Sequence, residues 1–355
     1  MLRFKAADKG LIGVDIGSAA VKLIELRFEG GEPRISGHGA VPLPPGAVIE
    51  NHVHDTEAVA DALSRALASA RPLGRRACVA VPAEASIVKT LNLPASLDED
   101  DIESRLQLES DKHIPFPFGE VAFDFQSLGP LAEETGQQSV LLVACRRHVV
   151  AQRAELLSRV GLTPRAVDVD TFAVERAMAA FGACPAASLA EEEDGMALMD
   201  IGVDSSTLHI LHRGRITYRH DIALGGRALI DEARDPPGLD ASEAGHEPDR
   251  SDLSDDYRCR VLVPFIESLA VQIGRALQLY YTAGRRPEVR RMSLVGAASV
   301  LPGLAGHLAE KVDMRVTVIN PLRGLKSHPR VDGRALAENA PDMLVACGLA
   351  IRGRT

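Results

Sequence analysis

Leu11-Ile-Gly-Val-Asp15-Ile16-Gly17-Ser18-Ala19-Ala-Val-Lys22-Leu-Ile-Glu-Leu26 decides the fold of this 355-residue chain, because the pattern occurs twice. The second copy reads Ala197-Leu-Met-Asp200-Ile201-Gly202-Val-Asp204-Ser205-Ser206-Thr207-Leu-His-Ile-Leu211. Each copy is an apolar strand, then Asp-Ile-Gly and a turn of small residues, then a second apolar strand. One such turn reads as an ordinary β-hairpin whose Asp caps the bend. Two of them, roughly half the chain apart, predict a duplicated fold with two hairpins facing one cleft.

The chemistry of the turns points to phosphate. Glycine has no Cβ, so at Gly17 and Gly202 the backbone can approach a ligand closely. Ser18, Ser205, Ser206 and Thr207 add small donors, and successive turn N–H groups can form an anion nest. Asp15 and Asp200 end the strands at the turns. Carboxylates so placed suit Mg2+, which keeps several waters and bridges to phosphate oxygens, so both are expected to hold the ion mainly through water. Lys22 can set a point charge on a phosphate. A third piece, Arg291-Met-Ser-Leu-Val-Gly296-Ala297-Ala298-Ser299-Val-Leu-Pro302-Gly303-Leu-Ala-Gly-His-Leu308, reads as a buried strand, a small-residue turn and a helix. A helix start after such a turn can bind an anion or lie flat on a nucleotide. In sequence order these resemble the phosphate-one, phosphate-two and adenosine motifs of the actin-like ATPase fold, which implies a duplicated, ribonuclease-H-like α/β architecture with an inserted α+β subdomain.

On this set of motifs the chain resembles the PilM family of type IV pilus assembly, relatives of FtsA, over nearly its whole length. Asp15 to Leu26 resembles the family's opening motif. Asp111-Lys-His-Ile114-Pro115-Phe116-Pro117-Phe118 with Phe123-Asp-Phe125 is similar to its "IPxP…DF" stretch. Gly225-Gly226-Arg227 falls where the family has a Gly-Gly pair, and Pro264 to Leu269 with Arg275 to Tyr281 resembles its long helix. Ala340 to Ala350 is similar to its closing helix. One departure stands out: the adenosine turn is usually Gly-Gly and here is Gly296-Ala297, where a Cβ can crowd the base.

The resemblance implies an ATP-binding cytoplasmic scaffold, peripheral to the inner membrane through its partner. ATP would lie between the lobes against Asp15, Gly17, Ser18, Ala19, Lys22, Asp200, Gly202, Asp204, Ser205, Ser206, Thr207, Gly225, Gly226, Gly296, Ala297 and Ser299. The implied partner is the N-terminal cytoplasmic peptide of PilN. PilM, PilN, PilO and PilP then form an inner-membrane platform beside the pilus motor ATPases. Ile114, Pro115, Phe116, Pro117 and Phe118 are the candidate peptide surface, the alternative being that the phenylalanines are core. ATP hydrolysis is expected to be weak or absent. The matching region offers Glu175 as a catalytic acid, with Arg176 able to occupy the same place and Asp204 as another candidate. A sugar kinase of the same superfamily would need a polar substrate pocket with a catalytic Asp, and no such cluster is evident.

Composition narrows the classes. A net charge of −9 argues against generic nucleic-acid binding. Cys78, Cys145, Cys184, Cys259 and Cys347 form no C-x-x-C pair, and most are expected to pack as small hydrophobes. No apolar run is read as approaching the roughly 20 residues that span a bilayer. No G-x-x-x-x-G-K-[ST], H-E-x-x-H or G-x-S-x-G motif occurs.

The expected organisation is a first lobe beginning at 1–85 and an inserted FtsA-like α+β subdomain at 86–167. A connecting helix and linker at 168–196, a second lobe at 197–330 and a C-terminal helix at 331–355 returning to the first lobe follow. Apolar residues at Val59, Leu63 and Leu67 predict a helix over 56–70, and Ile102, Leu106 and Leu108 one after Asp98. The acidic stretch 235–256 reads as a surface segment of unassigned role.

Overall fold

The computed structural model describes residues 10–131, 136–181, 194–227, 229, 258–284 and 286–352. The acidic stretch 235–256 lies outside them. In the first lobe, strands β1 (Leu11–Ile16), β2 (Ala20–Glu29) and β3 (Glu32–Pro42) form an antiparallel meander. A short hairpin of β4 (Val48–Ile49) and β5 (His52–Val53) leads to helix α1 (Thr56–Ala70). Asp55 starts α1 by accepting from the Ala58 N–H, and its Val59, Leu63 and Leu67 face is buried. Strand β6 (Arg76–Val81) then joins β1 in parallel.

A three-stranded sheet follows, of β7 (Ser86–Pro94), β8 (Val121–Pro130) and β9 (Gln137–Arg146) in the order β7-β9-β8. Helices α2 (Glu99–Leu108) and α3 (Ser110–His113) lie between its first two strands in sequence. Asp98 caps α2 through the Asp101 N–H. Ile102 and Leu106 pack on Leu93, Val140 and Leu142, but Leu108 is 87% exposed. It stands two residues beyond Leu106, which turns it about 200° around the helix and away from the sheet.

Helix α4 (Arg147–Arg159) and strand β10 (Thr163–Val169) return the chain to the first lobe. Leu156 and Leu157 enter the core of β1, β2 and α1, and β10 pairs with β6. Strand β10 therefore belongs to the first sheet and α4 packs on the first-lobe core, although the sequence reading assigned both to the inserted block. Helix α5 (Asp170–Phe181) connects to the second lobe.

The second lobe repeats the first. Strands β11 (Gly195–Ile201), β12 (Ser206–His212) and β13 (Arg215–Ile222) form an antiparallel meander. Strand β14 (Val289–Val295) joins β11 in parallel, and β15 (Arg315–Val318) joins β14. The order β13-β12-β11-β14-β15 matches β3-β2-β1-β6-β10 strand for strand. The hairpin register matches as well: Asp15 faces Lys22 and Asp200 faces Thr207.

Helix α6 (Val263–Thr282) follows a π-helical turn at Arg258–Leu262. The 25-residue run Arg258–Thr282 is long and apolar enough to cross a membrane, contrary to the expectation that no run reaches that length. Here its Ile266, Leu269, Ile273 and Tyr280 lie in the core of the second lobe, as in the buried helix of a globular domain. Helix α7 (Leu304–Val312) packs beside it.

The chain then closes on the first lobe. Strand β16 (Lys326–Ser327) pairs with β3, and α8 (Gly333–Asn339) precedes a 3-10 turn at Ala340–Met343 and α9 (Leu344–Ala350). Helix α9 is wedged between β1 and α5. A Cβ on Gly13 would stand 1.9 Å from the Ala346 carbonyl oxygen, and one on Gly348 1.8 Å from that of Ala173. Both glycines are needed for backbone approach, so Gly348 answers to packing. Cys78, Cys145 and Cys347 are buried, Cys259 is exposed, and Cys184 lies outside the described residues.

Candidate functional site

The two Asp-Ile-Gly turns approach each other at a four-residue charge cluster. Lys22 is 9% exposed and reaches Asp15 at 2.9 Å and Asp342 at 2.8 Å. Burial works against the Lys22 charge, but Asp15 and Asp342 outweigh it and its pKa is raised. Asp342 comes from the turn before α9 and is separated from Lys22 by 320 residues in sequence. No motif singled it out; its one trace was its place within the closing-helix stretch.

Asp200 stands across from this trio. Its pKa is pushed up to about 6 by burial first, then by Asp342 and, more weakly, by Asp15, against the pull of Lys22. Burial likewise raises Asp342, while Lys22 lowers it. One contact between lobes runs through Gly296, which lies at φ +93 and donates its N–H to the Pro341 carbonyl at 3.0 Å. A Cβ there would stand 2.4 Å from Asp200 Oδ1. The cluster thus gathers three carboxylates around one ammonium where both Asp-Ile-Gly turns converge.

The remaining predicted residues divide into cleft and scaffold. The Gly17 N–H closes the first turn on the Ala20 carbonyl, and the Ala19 carbonyl accepts from the Leu43 N–H. Ser18 and Ala19 are part-exposed at that turn. A Cβ on Gly202 would meet the Ser205 carbonyl oxygen at 2.7 Å, so the second turn also needs its glycine. Ser205 is exposed. Gly225 and Gly226 lie against this turn, with the Gly226 N–H donating to the Gly202 carbonyl at 2.9 Å. Ala297 is part-exposed beside Gly296.

Several hydroxyls and carboxylates face inward to the protein. Ser206 is buried and donates to the Leu224 carbonyl at 2.6 Å. Ser299 is buried and donates to the Gly296 carbonyl at 2.7 Å. Both therefore hold turns rather than present a free hydroxyl. Thr207 donates to Asp221 at 3.0 Å, and Asp204 is engaged by the Arg227 guanidinium at 2.8 Å and 2.5 Å.

Glu175 is placed away from the turns. It accepts from the Ile216 N–H at 2.7 Å and from Arg215 at 3.2 Å. Ile216 lines up with Leu211 and Met196, which is four residues along β11 from Asp200, about 13 Å. Glu175 thus ties α5 to β13, at the end of the second sheet remote from Asp200. Arg176 donates to the Gly348 carbonyl and pairs with Asp168. Asp170 begins α5, accepts from the Ala83 and Thr171 N–H groups, and is pushed up to about 7, chiefly by burial.

In the inserted subdomain Ile114 is buried at 3% exposure, which places it in the core with Val121 and Ala144. Phe116 is part-buried with the Arg146 guanidinium 4.1 Å from its ring centre, and Phe118 meets Phe123 at 5.2 Å. Pro115 and Pro117 are exposed.

Comparisons with known proteins identify the family and the fold. The sequence model of the type IV pilus assembly protein PilM matches residues 13–354. Among solved structures the chain is similar to the PilM-PilN type IV pilus biogenesis complex, at 27% identity and a TM-score of 0.72. That match covers 98% of this chain and 99% of the other. It also resembles the ethanolamine utilization protein EutJ from Carboxydothermus hydrogenoformans, at 17% identity, 96% and 89% coverage and a TM-score of 0.50. A diol dehydratase-reactivating factor in nucleotide free form matches at 9% identity, 96% and 99% coverage and a TM-score of 0.51. The last two speak to the fold alone. The chain has the actin-like ATPase fold and belongs to the PilM family of type IV pilus assembly proteins.

Proposed function

We propose that this pilus assembly protein works as a nucleotide-gated scaffold at the cytoplasmic side of the inner membrane. The single observation that carries the nucleotide reading is the convergence of Asp15, Lys22, Asp200 and Asp342 at two hairpins of equal register. ATP lies in the cleft with its phosphates on the Gly17–Ala19 and Gly202–Thr207 turns and its adenosine toward Gly296 and Ala297. Lys22 supplies the cation to the phosphates. Excess carboxylate charge at the cluster favours a divalent cation. Among the described residues no group of three or more His, Cys, Asp or Glu is arranged to hold a metal directly. Asp15 and Asp200 offer hard oxygen donors that suit Mg2+ kept in its water shell, where it would neutralise phosphate charge. Closure of the lobes on the phosphates is a hinge change that nucleotide can bias.

The output is peptide docking. The likeness to the PilM-PilN complex supports PilN as the partner; the segment bound would be its N-terminal cytoplasmic peptide. The exposed Pro115 and Pro117 with the half-covered Phe116 ring form the candidate surface. PilO and PilP would be reached through PilN, and the motor ATPases would lie beside that platform. Calorimetry of the purified protein with Mg–ATP and with the PilN peptide tests this reading. Binding of both, with peptide affinity changed by ATP and reduced in a folded Phe116→Ala variant, is expected. Peptide binding that ignores both ATP and Phe116→Ala would overturn the gating and the docking surface.

A further inference from the structure

We infer that Glu84 and Arg219 transmit nucleotide occupancy from the second phosphate turn to the inserted subdomain, a regulation that rests on the nucleotide reading above. A line of hydrogen bonds and ion pairs leads from the turn to the root of the inserted subdomain. The Thr207 hydroxyl donates to Asp221 Oδ1 at 3.0 Å. Asp221 Oδ2 holds Arg219 at 2.8 Å, and Arg219 crosses between lobes to Glu84 Oε2 at 2.9 Å. Glu84 Oε1 accepts from Asn51 at 2.7 Å, and the Asn51 carbonyl accepts from Arg153 at 2.8 Å.

Glu84 sits where a small displacement matters. It lies in the 3-10 turn Ala83–Ala85, which runs directly into Ser86, the first residue of β7. Ser86 pairs with Cys145, so the entry and exit of the three-stranded sheet lie side by side at this root. The same turn is held below by Asp170, which accepts from the Ala83 N–H at 3.1 Å.

The far end of the line carries a built-in competition. A hydroxyl has one proton to donate. Thr207 gives it to Asp221 when the turn is empty of phosphate, and a phosphate oxygen at the turn takes it instead. Asp221, stripped of that donor, draws harder on Arg219 and weakens its hold on Glu84. Nucleotide therefore loosens the root of the inserted subdomain, which carries the candidate peptide surface.

Hydrogen exchange over residues 83–94 tests this on the full chain, with and without Mg–ATP, in the wild type, Glu84→Gln, Arg219→Gln and the double variant. Neither residue contacts the proposed ligand, so all four forms should bind Mg–ATP by calorimetry, the variants up to about fivefold more tightly because ATP no longer has to loosen the Glu84–Arg219 pair. In the wild type ATP should speed exchange by about fivefold, the ratio given by about 1 kcal/mol, the upper end for a partly exposed ion pair. Each single variant should exchange fast without ATP and gain nothing on adding it, and the double variant should match the singles. Bound ATP with unchanged wild-type exchange, or single variants that still respond, overturns the inference and leaves the nucleotide reading standing. A wild type that binds no ATP refutes the nucleotide reading and this inference together.

Discussion

Asp200→Asn should stabilise the nucleotide-free protein while weakening its hold on Mg–ATP. In the folded protein Asp200 is pushed from 3.8 to about 6, chiefly by burial and then by Asp342. An acid whose pKa is raised by folding binds more protons folded than unfolded in the window between the two values. Stability therefore falls as pH rises from about 4 to about 6, and then stays at the lower level. Two units correspond to about 3 kcal/mol, reduced to about 2 kcal/mol because the carboxylate keeps partial access to the cleft. Asn has nearly the same shape and no charge to desolvate, so it removes that loss without opening a gap beside Gly296. Urea unfolding of both proteins across this pH range measures the difference. The curves should coincide near the acid end and separate toward neutrality, with Asn the more stable by about 2 kcal/mol. Parallel curves, or a variant less stable at neutral pH, would refute the charge-cluster argument.

Three further outcomes follow from the same contacts. Lys22→Met leaves Asp15 and Asp342 facing each other without their cation; a loss of about 3 kcal/mol in denaturant unfolding at neutral pH is expected. Gly296→Ala forces a side chain into φ +93 and against Asp200, so it should cost about 2 kcal/mol in the same assay. Glu175→Gln weakens the α5–β13 tie, so it should lower stability by about 1 kcal/mol and leave any phosphate release unchanged; a selective loss of phosphate release would restore Glu175 to the chemistry.

The fold was legible because its signal is local and repeated. Apolar strands interrupted by Asp-Ile-Gly fix both hairpins, and their equal spacing gives the equal register of Asp15–Lys22 and Asp200–Thr207. The helix over 56–70 was legible for the same reason, since Asp55 and the Val59, Leu63, Leu67 face lie within one segment. The site was legible only in part. Asp342 joins Lys22 from the far end of the chain, and such pairing leaves no periodicity to read. Ser206 and Ser299 look like phosphate donors in sequence, yet burial obliges their hydroxyls to satisfy nearby carbonyls. The bonds of Glu175 to β13 were not legible, because helix membership says nothing about which end of a sheet a side chain meets. Strand β10 follows the inserted block in sequence but pairs with β6, a long-range choice that the local pattern of 163–169 does not encode.

The most direct test of the central claim is calorimetric titration of the purified protein with Mg–ATP, alongside Asp15→Ala and Asp200→Ala. The account predicts saturable, Mg2+-dependent binding to the wild type that both substitutions weaken by at least tenfold, about 1.4 kcal/mol. No wild-type binding, or binding that neither substitution weakens, would contradict it.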